Sequence, residues 1–150
     1  MRQANACVHV LRNSRRIPIG GHRMLHLTFA TQRLPGVSVI SVAGEIDTAN
    51  AGLLDRHIQQ SRRRPGEHVV IDLSEARFLG SAGLRVLLNT HTFARQHGGA
   101  LHLAAPHPKV AGFMDVTQAN TVLHVHATVQ EAVLAALQQS RPAEETLTQA

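Results

Sequence analysis

Hydrophobic and polar positions follow two different periods along the chain, and the changes between them mark the predicted elements. Residues 25–29 ("LHLTF") alternate apolar and polar as an edge strand does, and residues 37–44 ("VSVISVAG") form a β-branched apolar run. The "LPG" turn at 34–36 predicts that these two strands pair as a hairpin. Residues 68–73 ("HVVIDL") form a short apolar run, which indicates a central strand covered on both faces.

The segment after the hairpin carries its apolar residues at helical spacing. Its stripe consists of Ala51, Leu54 and Ile58. Asp47 or Thr48 can cap this helix, because a side-chain oxygen there can accept from an amide that has no helical partner. A second helix is predicted over 81–97, where apolar residues recur three and four positions apart until Gly98-Gly99 ends the pattern.

The last third of the chain repeats the alternation of strand and helix. Short strands are predicted over 100–104 and 121–126, each followed by a helix, over 108–114 and 128–137 respectively. The final helix opens with "TVQE", which has the spacing of a capping box.

Alternating strands and helices predict an α/β fold, because parallel strands need crossover connections. We expect a mixed sheet of four to five strands with about four helices packed on it. The chain shows no internal repeat and no domain linker, so one domain over 24–140 and a flexible tail over 141–150 are expected.

The net charge of +5 belongs to the amino terminus. Residues 1–23 contain five arginines and no acidic residue, whereas the other ten basic residues are matched by ten acidic ones. Aromatic residues that could stack on bases are scarce, so we expect no direct binding of nucleic acid. Residues 1–23 are expected to be a disordered basic leader or the product of a start assigned too early, with Met24 as the alternative start.

The lone cysteine, Cys7, cannot form an internal disulfide, which fits a reducing cytoplasm. No stretch of the sequence has the apolar length that crosses a bilayer. We therefore expect a cytoplasmic protein that makes no membrane contact.

Eleven histidines raise the question of a metal site. His124 and His126 would share one face of a strand, with His102 on a neighbouring strand. No cysteine lies nearby and the acidic residues form no ligand motif, so we expect partly exposed imidazoles and no metal or other cofactor.

Ser81 marks the junction between the central strand and the second long helix, at the end of the sheet where α/β proteins carry functional groups. One interpretation is a helix cap, since serine is a preferred cap residue. Another is a phosphoacceptor, because a phosphate of about −1.5 to −2 charges at a helix start would change the surface without disrupting the fold.

A third interpretation of Ser81 is a hydrolase nucleophile. The sequence "LGSAG" (79–83) is similar to the G-x-S-x-G elbow, and Asp115 and His124 follow in the order of α/β-hydrolases. However, Leu79 replaces the first glycine and no oxyanion loop such as HGGG is present. Spacing alone leaves the three interpretations open.

Four segments, in order, resemble the STAS domain, specifically the bacterial anti-sigma factor antagonists. They are "VSVISVAGEIDTANAGLL", "VVIDLSEARFLGSAGLRVLL", "HGGALHLAAPHPKV" and "TVQEAVLAAL". The similarity spans about residues 25–138, and the pattern "IDLS…F-x-x-S-x-G-L" after "G-x-x-D" is its most specific part. The resemblance implies a mixed sheet with helices on one side.

The resemblance also implies a mechanism without enzymatic activity. In that family the antagonist binds an anti-sigma factor that is also a serine kinase, phosphorylation of the serine abolishes the binding, and a phosphatase restores it. Ser81 matches the phosphoacceptor and Asp47 matches an acid near it. We expect the contact surface to be formed or shaped by Asp47, Thr48, Asn50, Gly80, Ala82, Gly83 and Leu84, and the free protein to be a monomer.

The chain departs from the family pattern at Gly80, where aspartate often precedes the serine. The missing carboxylate could orient the hydroxyl or contact the kinase, so this departure affects phosphorylation more than partner binding. The alternative is a STAS-like accessory module that binds a transporter subunit, a signalling complex or a small ligand, with Ser81 only capping its helix.

Overall fold

The computed structural model describes residues 27–140 and shows one five-stranded sheet in the order β1-β2-β3-β4-β5. Strands β1 (Thr28–Leu34) and β2 (Val37–Ile46) pair antiparallel around a turn at Pro35 and Gly36. Gly36 has a φ of +77°, which explains why glycine is needed there. Strands β3 (His68–Leu79), β4 (Leu101–Ala104) and β5 (His124–His126) continue the sheet in parallel.

Four α-helices connect or follow these strands: α1 (Ala51–Ser61), α2 (Ser81–Gln96), α3 (Pro108–Thr117) and α4 (Val129–Gln139). A short 3₁₀ turn, Ala119–Thr121, follows α3. The predicted fold class, a mixed sheet of four to five strands with about four helices, is thereby confirmed. No helix within residues 27–140 combines the length and apolar character needed to span a membrane.

The helices cover both faces of the sheet, so the expectation of helices on one side is wrong. One core combines Ile40, Ile71 and Leu103 with buried residues of α1, α2 and α3. A second, smaller core places Ala132 and Ala136 of α4 against the opposite face. This second core also contains Val37, Val39, Val70 and Ala104. Successive strand residues point to opposite faces, so a strand buried on both sides is apolar at every position.

Strand β3 extends six residues beyond the predicted end at Leu73. The prediction ended too early because the strand contains two irregularities. Its pairing with β2 skips one residue between Asp72 and Glu75 and another between Ala76 and Phe78. Each extra residue acts as a β-bulge and changes which of the following side chains face the core. The buried positions Leu73, Ala76 and Leu79 are therefore three residues apart. The alternation of buried and exposed residues therefore breaks down at Ser74, and a prediction based on that alternation ends the strand there.

Other predicted boundaries shift by a few residues. The first strand begins at Thr28 and runs to Leu34, through the start of the predicted 34–36 turn. The last strand is confined to His124–His126, and Thr121, at the start of the predicted strand, belongs to a 3₁₀ turn instead. Helix α3 continues to Thr117. The expectations for residues 1–23, Met24 and the tail at 141–150 lie outside the described residues.

Candidate functional site

Ser81 is the first residue of α2, and its side chain is exposed. The interpretation of Ser81 as the helix cap is wrong, because Gly80 occupies the N-cap position and its carbonyl accepts from the Leu84 amide at 3.0 Å. No side chain caps this helix. Within residues 27–140 the Ser81 hydroxyl has no hydrogen-bond partner, so it is available for chemistry or contact.

The residues after Ser81 fix the start of α2 against the sheet. Gly83 is buried, and a Cβ there would lie 2.6 Å from both Ile46 Cγ2 and Leu79 Cδ1. Leu84 is only 8% exposed and belongs to the main core, against which Ala82 also packs. Burial therefore limits Gly83 and Leu84 to shaping the expected contact surface.

The loop between β2 and α1 brings Asp47 to the same end of the sheet. The Asp47 amide donates to Asn50 Oδ1 at 2.8 Å, and Asp47 Oδ1 accepts from the amides of Ala49 at 3.0 Å and Asn50 at 3.2 Å. Asn50 Nδ2 donates to the Glu45 carbonyl at 2.9 Å. Buried Asn50 thus locks the loop, while Thr48 is exposed at its tip.

This loop corrects the predicted cap of the first helix. Helix α1 begins at Ala51, Asn50 is at the N-cap position, and no side chain makes a cap hydrogen bond. Asp47 instead stabilises the turn that precedes the helix, and its main-chain carbonyl accepts from the Ala51 amide at 2.9 Å. Thr48 does not serve as the cap.

Loop and helix start border a groove of about 460 Å³, which we call the Ser81 groove. It is lined by Asp47, Thr48, Phe78, Leu79, Gly80, Ser81, Lys109 and Phe113. The groove therefore brings together four of the eight residues predicted for the site: Asp47, Thr48, Gly80 and Ser81. Of the other four, Asn50, Gly83 and Leu84 are buried and Ala82 is half-buried.

Sequence reasoning missed four residues of the Ser81 groove: Phe78 and Leu79 of β3, and Lys109 and Phe113 of α3. Phe78 is 48% exposed beside the serine, although it lies in a strand. The adjacent "FL" pair could have indicated it, because neighbouring strand residues face opposite sides and only one of them can enter the core. Lys109 and Phe113 come from α3, which the sequence does not connect to β3 by any local pattern.

The hydrolase interpretation lacks its supporting residues. Asp115 Oδ1 accepts from Asn120 Nδ2 at 2.6 Å, and neither Asp115 nor His124 lines the Ser81 groove. His124 pairs with His102, which pairs with Val70, nine residues before Leu79 along β3. That separation corresponds to roughly 30 Å of extended strand, far beyond hydrogen-bond reach.

The histidines of β4 and β5 form a packed cluster away from the Ser81 groove. His102 is 1% exposed; its Nε2–H donates to Gln139 Oε1 at 3.0 Å, and its Nδ1 accepts from His126 Nε2–H at 3.0 Å. His124 stacks on His102 with ring centroids 5.1 Å apart. Burial, with a smaller contribution from the neighbouring imidazoles, lowers the pKa of His102 to about 4.

The expectation of partly exposed imidazoles is wrong for His102 and holds for His124 and His126, which are half-buried. Within residues 27–140, no group of three or more histidine, cysteine, aspartate and glutamate side chains is arranged to hold a metal ion.

Comparison with known proteins agrees with this architecture. The family model of the STAS domain matches residues 28–132, and the chain belongs to that family. It is 26% identical over 94 residues to an anti-sigma F factor antagonist of Paenibacillus polymyxa. This match covers 62% of this chain and 80% of that protein.

Two mycobacterial proteins are also similar to the chain. Over 55 residues it is 44% identical to the anti-sigma-F factor antagonist RsfB of Mycobacterium tuberculosis, a match that covers 37% of this chain and 45% of that protein. The crystal structure of an anti-sigma factor antagonist from Mycobacterium paratuberculosis has a TM-score of 0.67 and 31% identity, over 74% of this chain and 94% of that one.

Proposed function

We propose that this chain is an anti-sigma factor antagonist and that the Ser81 groove binds an anti-sigma factor with serine kinase activity. The observation that carries the proposal is the exposed Ser81 hydroxyl, which has no hydrogen-bond partner within residues 27–140 and adjoins half-exposed Phe78. The names of the related proteins support the same function.

The covalent step leaves the catalytic work to the partner. The kinase transfers the γ-phosphoryl group of ATP to Ser81 Oγ; the bond to the β-phosphate oxygen breaks, ADP leaves, and the hydroxyl proton passes to a base of the kinase. A phosphatase later hydrolyses the phosphoserine and restores the hydroxyl. This chain supplies the nucleophilic oxygen, whereas ATP and magnesium belong to the kinase.

Phosphorylation releases the partner because a partner surface that fits a neutral hydroxyl offers no counter-charge to a dianion. Truncating or mismatching one side of a buried charged contact costs about 2–5 kcal/mol, which weakens binding roughly 30-fold to several thousand-fold. The antagonist itself stays folded, because Ser81 is exposed and its side chain makes no contact that the helix start requires.

Gly80 favours a second candidate function, that of a STAS accessory module whose Ser81 is never modified. In related antagonists an aspartate often stands at this position, and glycine offers no side chain to orient the hydroxyl or contact a kinase. Such a module would bind its partner equally well whichever side chain occupies position 81, provided that the groove keeps its shape.

Co-purification with candidate anti-sigma factor kinases of the same organism, with and without ATP, tests the proposal. We expect the wild type and Ser81→Ala to retain the kinase, Ser81→Glu to release it, and ATP to release only the wild type. Mass spectrometry should then find the phosphate on Ser81. Ser74→Ala and Ser74→Glu are matched controls, because Ser74 is an exposed serine of β3 that does not line the groove. Equal retention of Ser81→Ala and Ser81→Glu would favour the accessory module.

A further inference from the structure

We propose that Arg85 and Lys109 form a clamp that receives the phosphate of phosphoserine 81 and holds it over the start of α2. The inference rests on the proposed function only in assuming that Ser81 carries a phosphate. It assigns to two residues of this chain a role in the phosphorylated state.

Arg85 lies one helical turn beyond Ser81 on the same face of α2. Residues four apart on a helix have Cβ atoms about 5–6 Å apart, within the reach of an arginine side chain. Both residues are exposed, whereas Gly83, Leu84 and Leu87 between and beyond them face the core. The order also suits the helix dipole, because the anion would stand on the amino-terminal side of the cation.

Lys109 lines the Ser81 groove from a different helix. It is the second residue of α3 and the only lysine of the sequence. Its side chain is exposed and lines the groove together with Ser81 and Asp47. A phosphate on Ser81 would therefore have one cation on its own helix and a second cation on another helix that lines the same groove.

Neither cation is neutralised by a neighbouring acid. Within residues 27–140 the one ion pair joins Arg63 to Glu67, at 2.6 Å, and it involves neither Arg85 nor Lys109. Asp47 is the single acidic residue that lines the groove, and its Oδ1 already accepts from two backbone amides. A dianion at position 81 thus meets two uncommitted positive charges and one opposing negative charge.

The clamp explains how a single phosphate can close the whole contact surface. Guanidinium groups bind phosphate through charge-assisted hydrogen bonds and favour bidentate geometry. A phosphate held by Arg85 and Lys109 stays at the helix start, beside the groove that Phe78 lines, rather than projecting into solvent. The exposed aromatic surface beside Ser81 is then covered by a hydrated anion.

Phosphorus-31 NMR of protein with phosphoserine installed at position 81 by genetic encoding tests the clamp without any kinase or partner. A free phosphoserine has a second pKa near 6. We expect the clamp to lower this pKa by about 0.5 for each cation at low salt. Arg85→Gln and Lys109→Gln should each remove the contribution of one cation and so raise the pKa again. Salt near 1 M should remove most of the shift.

Arg95→Gln is the matched control, because Arg95 is an exposed arginine on the same helix, ten residues beyond Arg85 or about 15 Å along the axis. It should leave the phosphoserine pKa unchanged. A pKa that is the same in wild type, Arg85→Gln and Lys109→Gln would overturn the clamp. That result would leave the proposed function standing, since release of the anti-sigma factor is measured separately.

Discussion

Gly83 and Ile46 approach so closely that a Cβ on Gly83 would lie 2.6 Å from Ile46 Cγ2. Because of this close approach, the first turn of α2 packs directly against the end of β2. The packing fixes the position of Ser81 at the surface. Both Ile46 and Leu79, the second neighbour, are buried and have little room to move. The absence of a side chain at position 83 is therefore a condition of the site.

Gly83→Ala should destabilise the protein in spite of the better helix propensity of alanine. We expect a loss of about 1–3 kcal/mol in the free energy of unfolding, because the added methyl overpacks the core. Urea denaturation measures the change. In the matched control, Gly112→Ala in α3, a Cβ meets nothing within 4 Å, so a gain of about 0.5–1 kcal/mol is expected. If both variants gained stability, the contact with Ile46 would not be tight.

Asn50→Ala should loosen the loop that carries Thr48. The Asn50 side chain joins the Asp47 amide to the Glu45 carbonyl, and its removal leaves both groups without that partner, at a cost of about 1–3 kcal/mol. Urea denaturation and binding to the anti-sigma factor should both report the loss. Asn89→Ala, on the exposed face of α2, is the control and should change neither. An unaffected Asn50→Ala variant would mean that the loop is held by other contacts.

The buried histidine cluster predicts that stability falls in mild acid. Burial lowers the pKa of His102 to about 4, from an ordinary value of 6.5. Between these two values His102 binds a proton in the unfolded chain but stays neutral in the folded protein. The stabilisation is complete above pH 6.5 and is lost progressively as the pH falls from 6.5 towards 4. We expect a decrease on the order of 2 kcal/mol from His102 over this range.

Urea denaturation of wild type and His102→Gln between pH 8 and pH 4 measures the contribution of His102. The variant should show a shallower dependence on pH. Part of the slope should remain, since burial also lowers the pKa of His68, His91 and His126. Identical slopes for wild type and His102→Gln would exclude His102 as a source of the acid sensitivity.

Gly80→Asp should be tolerated and should accelerate phosphorylation of Ser81. Gly80 has φ −93° and ψ −176°, an extended conformation open to any residue, and an aspartate there would occupy the N-cap position of α2. A Cβ would lie 3.2 Å from the Phe78 ring, which is half-exposed and can shift. Initial rates with the kinase and radiolabelled ATP measure the effect. Gly80→Asn separates charge from capping: it should match the stability of Gly80→Asp and not its rate.

Local pattern predicted most elements of the fold because the core strands and helix stripes are strongly apolar. It failed where the signal was not local. The two irregularities in β3 replace period two with a spacing of three, so the polar residues Ser74 and Glu75 appeared to end the strand. The packing of α4 on the opposite face depends on the path that the chain takes between distant segments. The pattern within one segment does not predict that path.

The candidate site was predicted in part for the same reason. Asp47 and Ser81 follow the ends of β2 and β3, and neighbouring parallel strands bring their carboxyl ends together. Lys109 comes from a helix nearly thirty residues later, and only the three-dimensional fold places it in the groove. Asn50 and Leu84 are near Ser81 in the fold but lie buried, a distinction that depends on packing rather than on motif.

The affinity of the kinase-type anti-sigma factor for unmodified protein, compared with protein that carries phosphoserine at position 81, tests the central claim most directly. Isothermal titration calorimetry with a non-hydrolysable ATP analogue gives both dissociation constants without further phosphorylation. The account predicts that the phosphate weakens binding at least about 30-fold, the lower end of the cost of an unmatched buried charge. Equal affinity of the two forms would contradict it.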